Sequence, residues 1–142
     1  MKIIIGADHA GFEYKEKIKK YLAEKGINSS DKGTTSPDSV DYPDFAHAVA
    51  KAVAAKEGEV GILICGSANG VAITANRHKG IRAAICWNSE VAELARKHNN
   101  ANIICIPARF VEIEIAKSMT DIFLKTKFEE GRHERRVEKI EC

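Results

Sequence analysis

The stretch Val60-Gly61-Ile62-Leu63-Ile64-Cys65-Gly66-Ser67-Ala68-Asn69-Gly70-Val71 decides the fold. Its first six residues contain no polar break, which fits a strand covered on both faces rather than one alternating toward water. Small residues follow at once and a helical run begins at Val71, so the segment reads as strand, tight loop and helix. The pattern recurs on both sides. Lys2 to Gly6, Arg82 to Cys86 and Ile103 to Ile106 are short and apolar, and Ile27 to Asp31 is a weaker fifth strand. Between them lie helical segments. Phe12 to Lys25 spaces Ile18, Tyr21, Leu22 and Lys25 at helical intervals and stops at Gly26. Asp44 to Lys56, Val71 to Asn76, Ser89 to His98 (with Ser89 as its cap) and Phe110 to Lys125 complete the series. Strands alternating with helices predict a parallel α/β sheet, and right-handed crossovers favour the spatial order 2-1-3-4-5.

In that order strands one and three are neighbours whose following helices lie on opposite faces, so the loops at their carboxyl ends border a crevice. Those loops read Gly6-Ala7-Asp8-His9-Ala10-Gly11 and Cys65-Gly66-Ser67-Ala68-Asn69-Gly70. The second enters a helix through small residues, so its backbone N–H groups predict an anion-stabilising concavity. A thiol there is expected below the free value of about 8.5, as a base or nucleophile. Each residue also has a structural reading: Cys65 as a buried strand end, Asp8 as a helix cap, and His98 as a cation at a helix carboxyl end. Arg132 and Arg136, four apart, also suit a solvated charged face. His47 and His78 read as surface residues.

The 142 residues fit one domain, 1–142, large enough to bury its own core. With 44% apolar and 30% charged residues the chain is globular in class, and its net charge of +2 offers no field for a nucleic-acid backbone or an anionic membrane. The expected partner is a small molecule. No apolar run approaches the ~18 residues of a membrane span, and an opening strand in place of an export signal predicts a cytoplasmic protein. Cys65, Cys86, Cys105 and Cys142 are spaced too widely for a C-x-x-C pair, which argues against a disulfide framework and leaves the last three as structural or incidental thiols.

The motifs together resemble ribose-5-phosphate isomerase type B, in the sugar-phosphate isomerase family that includes galactose-6-phosphate isomerase subunits. The residues carrying the resemblance are Gly6 to Gly11, Asp41-Tyr42-Pro43-Asp44, Cys65-Gly66-Ser67 with Gly70, Gly80-Ile81-Arg82-Ala83-Ala84, His98-Asn99, Arg109 and Gly131-Arg132-His133-x-x-Arg136. They span nearly the whole chain in order. The resemblance implies a three-layer α/β/α fold of flavodoxin-like winding with a C-terminal helix or tail. It implies aldose–ketose isomerisation needing no metal or cofactor, in a homodimer or a tetramer of such dimers, with sites shared between subunits.

By the same resemblance Cys65 is the base that moves a proton between adjacent carbons, while Ser67 and the N–H groups of Gly66, Ala68, Asn69 and Gly70 hold the enediolate oxygens. His98 assists ring opening, Asp8 orients hydroxyls and Asn99 contacts the sugar. His9, Arg109, Arg132 and Arg136 gather the phosphate, the last two from the partner subunit. The family commonly has Gly where this chain has Ala68; a positive φ there would strain it, and a reshaped loop would suit six-carbon or epimeric sugar phosphates of the allose or galactose 6-phosphate type. A non-catalytic phosphosugar sensor is a further alternative. A cysteine phosphatase needs an Arg six positions after the cysteine, where Val71 stands, and neither loop reads G-x-G-x-x-G.

Overall fold

The computed structural model describes residues 1–142. In chain order the elements are β1 (Lys2–Ala7), α1 (Phe12–Glu24), β2 (Asn28–Asp31), α2 (Tyr42–Ala54), β3 (Val60–Cys65), α3 (Asn69–Ala75), β4 (Ala83–Ile85), α4 (Ser89–Asn99), β5 (Ile103–Pro107), α5 (Ile113–Lys125) and α6 (Arg132–Glu138). All strand pairs are parallel. β1, β3 and β5 are buried almost throughout, as their unbroken apolar runs require. Alternate side chains feed two cores. Ile3, Ile5, Ile62, Ile64, Ile104 and Ile106 pack with Ile18, Leu22, Met119 and Phe123 on one face. Ile4, Leu63, Ile103 and Cys105 pack with Val49, Val53 and Val71 on the other. Each fully buried aliphatic side chain contributes roughly 1.5–3 kcal/mol, enough to fix which face each helix covers.

The sheet order is β2-β1-β3-β5-β4, so the expected order of the last two strands is corrected. β5 offers five fully buried residues, whereas β4 has three half-buried ones directly after Arg82. A strand sealed on both faces belongs inside the sheet; a short, half-covered strand is suited to the edge. Adjacency of β1 and β3, and with it the crevice, is as expected.

Several boundaries also differ. α2 begins at Tyr42 because Pro43 fits the first helical turn, and α3 begins at Asn69. The α4 cap is Asn88, whose side chain accepts from the Val91 N–H at 2.8 Å, and α5 starts at Ile113 rather than Phe110. His47 and His78 are half-buried and joined Nδ1 to Nε2 at 2.7 Å, not free surface groups. All four cysteines are unpaired.

Candidate active site

At the carboxyl edge of the sheet, α1 starts almost in contact with β3. A Cβ on Gly11 would stand 2.2 Å from the Ile64 carbonyl oxygen, so glycine is what lets the turn close. The Gly11 N–H donates to Asp8 Oδ1 at 3.1 Å, which ties the carboxylate of Asp8 (5% exposed) into that turn. Cys65 ends β3 and is 8% exposed. Burial and the facing Asp8 carboxylate push its thiol above the ordinary range, outweighing the Ala68 and Gly66 N–H groups that act the other way. The expected depression of this thiol is therefore corrected: burial and the Asp8 carboxylate outweigh the N–H groups of the loop.

Ala68 adopts the left-handed conformation, φ 66°, and its N–H lies within hydrogen-bond reach of the thiol. That geometry costs a non-glycine residue roughly 1–2 kcal/mol. The methyl group is fully buried among core residues of α2 and α3, so the departure from glycine is strained yet leaves the crevice face of the loop unchanged. Ser67 Oγ accepts from the Asn69 N–H at 3.3 Å, holding the turn. At Gly70 a Cβ would meet the Tyr42 ring at 2.3 Å, so the tyrosine lies flat against the loop.

Two further predicted residues reach the same edge. The Val40 N–H donates to His9 Nδ1 at 3.2 Å, which leaves Nε2–H to point elsewhere as a donor. Arg109 follows β5; its N–H donates to the Gly66 carbonyl at 3.1 Å, and its guanidinium lies 3.2 Å from where a Gly66 Cβ would stand. Asp8, His9, Cys65 to Gly70 and Arg109 thus form one cluster.

His98, Asn99 and Arg136 form another. They line a cavity of about 340 Å³ with His133, Val137 and Ile140, and Arg132 is exposed at the start of the same helix. Because α4 runs back against the strands, its last turn lies beyond the amino end of β5, whereas Cys65 is in register with Pro107 at the carboxyl end. The length of β5 alone separates the two clusters by about 13 Å. One chain does not bring Cys65 and His98 together.

Tyr42 and His133 carry no local signal of their own in the sequence, although both lie inside motifs that carry the family resemblance. Their signals are tertiary: a ring over Gly70, and an imidazole stacked on His98 with centroids 4.2 Å apart. Ligand atoms of His98, Glu129 and His133 come within 4.8 Å of one another. The two ring planes lie 10° from parallel, so the nitrogen lone pairs run alongside each other and do not converge on a shared ion.

With both clusters described, comparison with known proteins decides the family. The model of the Ribose/Galactose Isomerase family matches residues 3–140. The chain belongs to that family. It is 52% identical to a ribose 5-phosphate isomerase of Thermotoga maritima, covering 98% of this chain and 96% of that one with a TM-score of 0.96. The ribose-5-phosphate isomerase B of Mycoplasma genitalium, solved with bound ribulose-5-phosphate, is 43% identical over 98% and 93% of the two chains, with a TM-score of 0.93. Ribose-5-phosphate isomerase B of Escherichia coli is 45% identical over 139 residues, 98% of this chain and 93% of that protein. The three-layer α/β/α fold expected for the ribose/galactose isomerases is the one observed.

Proposed function

We propose that this chain, as a single 1–142 domain, interconverts ribose 5-phosphate and ribulose 5-phosphate through an enediolate, with Cys65 as the base. The carrying observation is Cys65 at the carboxyl end of β3, facing Asp8 under the N–H groups of Gly66 and Ala68, in a member of this family. The relatives quoted are named ribose-5-phosphate isomerases, and one holds ribulose-5-phosphate. The core-facing Ala68 methyl leaves no reason to move the substrate from five carbons to six.

The chemistry follows from the two clusters. His98 transfers the proton that accompanies opening of the sugar ring, and Asn99 and Asp8 hold hydroxyls. The Cys65 thiolate takes the C2 proton, leaving an enediolate whose charge is met by Ser67 and the N–H groups from Gly66 to Gly70; preorganised donors of this kind commonly supply the largest catalytic contribution. The thiol then delivers a proton to C1 while the C2 hydroxyl proton passes to O1, so that C2 becomes the ketone and C1 the hydroxymethyl group. His9, Arg109, Arg132 and Arg136 grip the phosphate, whose binding energy is available for orienting the reacting carbons.

Since Cys65 and His98 occupy opposite sheet edges, the complete site is assembled from two copies of the chain in a homodimer. One contributes Cys65, Asp8, His9 and Arg109, the other His98, Asn99, Arg132 and Arg136. No helix is long and apolar enough to cross a membrane, and the enzyme acts in the cytoplasm on a soluble sugar phosphate.

Turnover of ribose 5-phosphate in heavy water tests the reading. Deuterium should enter the recovered sugar, and Cys65→Ala should abolish conversion while leaving phosphosugar binding. Transfer of hydrogen without any solvent exchange would overturn the assignment of Cys65.

A further inference from the structure

We infer that His133 positions His98 for ring opening, its buried imidazole serving as a fixed plate that sets the plane of the His98 ring; this rests on the isomerase reading above. His98 projects from the last turn of α4 into a cavity, where a half-buried side chain is free to turn. No side-chain hydrogen bond within the chain holds its ring. What meets it is the face of His133, 4.2 Å away and 10° from parallel. A general acid works only if its nitrogen stays within hydrogen-bond reach of the sugar oxygen, so the ring's rotation has to be limited.

His133 is suited to that task because it is more deeply enclosed than the half-buried His98. It is 6% exposed, and its Nε2 has no hydrogen-bond partner, with the nearest carboxylate, Glu129 Oε1, at 3.7 Å. Burial, His98, Arg132 and Arg136 all press its proton off, opposed by Glu129. A neutral His133 leaves the proton exchange to His98, and two cations stacked at this spacing would repel strongly. His133 also shares α6 with Arg132 and Arg136. The helix that offers the phosphate grips therefore carries the plate, so seating the phosphate and setting His98 become one event.

The test separates ring opening from proton transfer. Ribulose 5-phosphate carries its phosphate on the C5 oxygen and cannot close a five-membered ring, so deuterium wash-in at its C1 reports proton transfer alone. Consumption of ribose 5-phosphate, which is mainly cyclic, needs both steps. His133→Ala should lower kcat for ribose 5-phosphate by at least about tenfold, as small misplacements of a catalytic group do, while C1 wash-in stays within about threefold of wild type. His133→Phe, which keeps the plate, should recover ribose turnover to within about threefold. Equal losses in both reactions, or no recovery in a His133→Phe protein of unchanged thermal midpoint, would overturn the role of His133. A wild-type protein inactive in both assays would instead remove the isomerase reading and this proposal with it.

Discussion

Cys65 and His98 lie at opposite edges of the same sheet, the first level with Pro107 and the second beyond the amino end of β5. If each site takes one from either copy, a Cys65→Ala chain paired with a His98→Ala chain has one site with both defects and one with neither. Each homodimeric variant should be inactive. After subunit exchange at equal concentrations, activity should return to about a quarter of wild type, the yield of random pairing in a two-fold dimer. Exchange demonstrated by mass spectrometry without recovered activity would place the site within one chain.

The raised thiol has a sign that a pH series reads. A Cys65 pushed above the ordinary range by burial and Asp8 is mostly protonated at neutral pH, so its alkylation rate should still be climbing beyond pH 8.5 and not level off near 7. Asp8→Asn removes the carboxylate that favours the protonated form. Alkylation at pH 7 should then quicken severalfold, measured by iodoacetamide labelling of Cys65, even as isomerase turnover falls.

Two glycines separate backbone from side-chain crowding. Gly11→Ala sets a methyl against the Ile64 carbonyl, which no rotamer can relieve, and should cost about 1–3 kcal/mol in denaturant unfolding along with most activity. Gly70→Ala meets only the ring of Tyr42, which is 40% exposed and able to swing out. Its stability loss should be about 1 kcal/mol, and adding Tyr42→Ala should restore stability.

Ala68→Gly relieves the left-handed strain but loses a buried methyl group and stiffness in the unfolded chain. These contributions are of similar size, so stability should change by less than about 1 kcal/mol. Because the methyl points into the core, the ratio of turnover on five- and six-carbon aldose phosphates should stay within about twofold. A larger change in that ratio would mean that position 68 does shape substrate choice.

The crevice was legible in sequence because it depends on short-range facts. Unbroken runs at Ile3 to Ile5 and Val60 to Cys65 require double-sided burial, and the glycine-bearing loops that follow them mark where the chain turns over the sheet edge. The exchange of β4 and β5 was not legible, since strand order depends on which strand loses least by standing at the edge. Ala83 to Ile85 and Ile103 to Pro107 differ in that respect only once the helices are laid over them.

By itself the sequence determined the alternation of strands and helices and the Cys65 and Asp8 loops, which follow from local patterns of apolar and small residues, and its motifs in order carried the resemblance to the family. Tertiary structure alone decided the upward push on the Cys65 thiol, the stacking of His133 on His98 and the placing of Cys65 and His98 at opposite sheet edges. The physical reason is that desolvation, ring contact and distance across a sheet belong to groups far apart in the chain, and come into being only when packing sets them side by side or holds them apart.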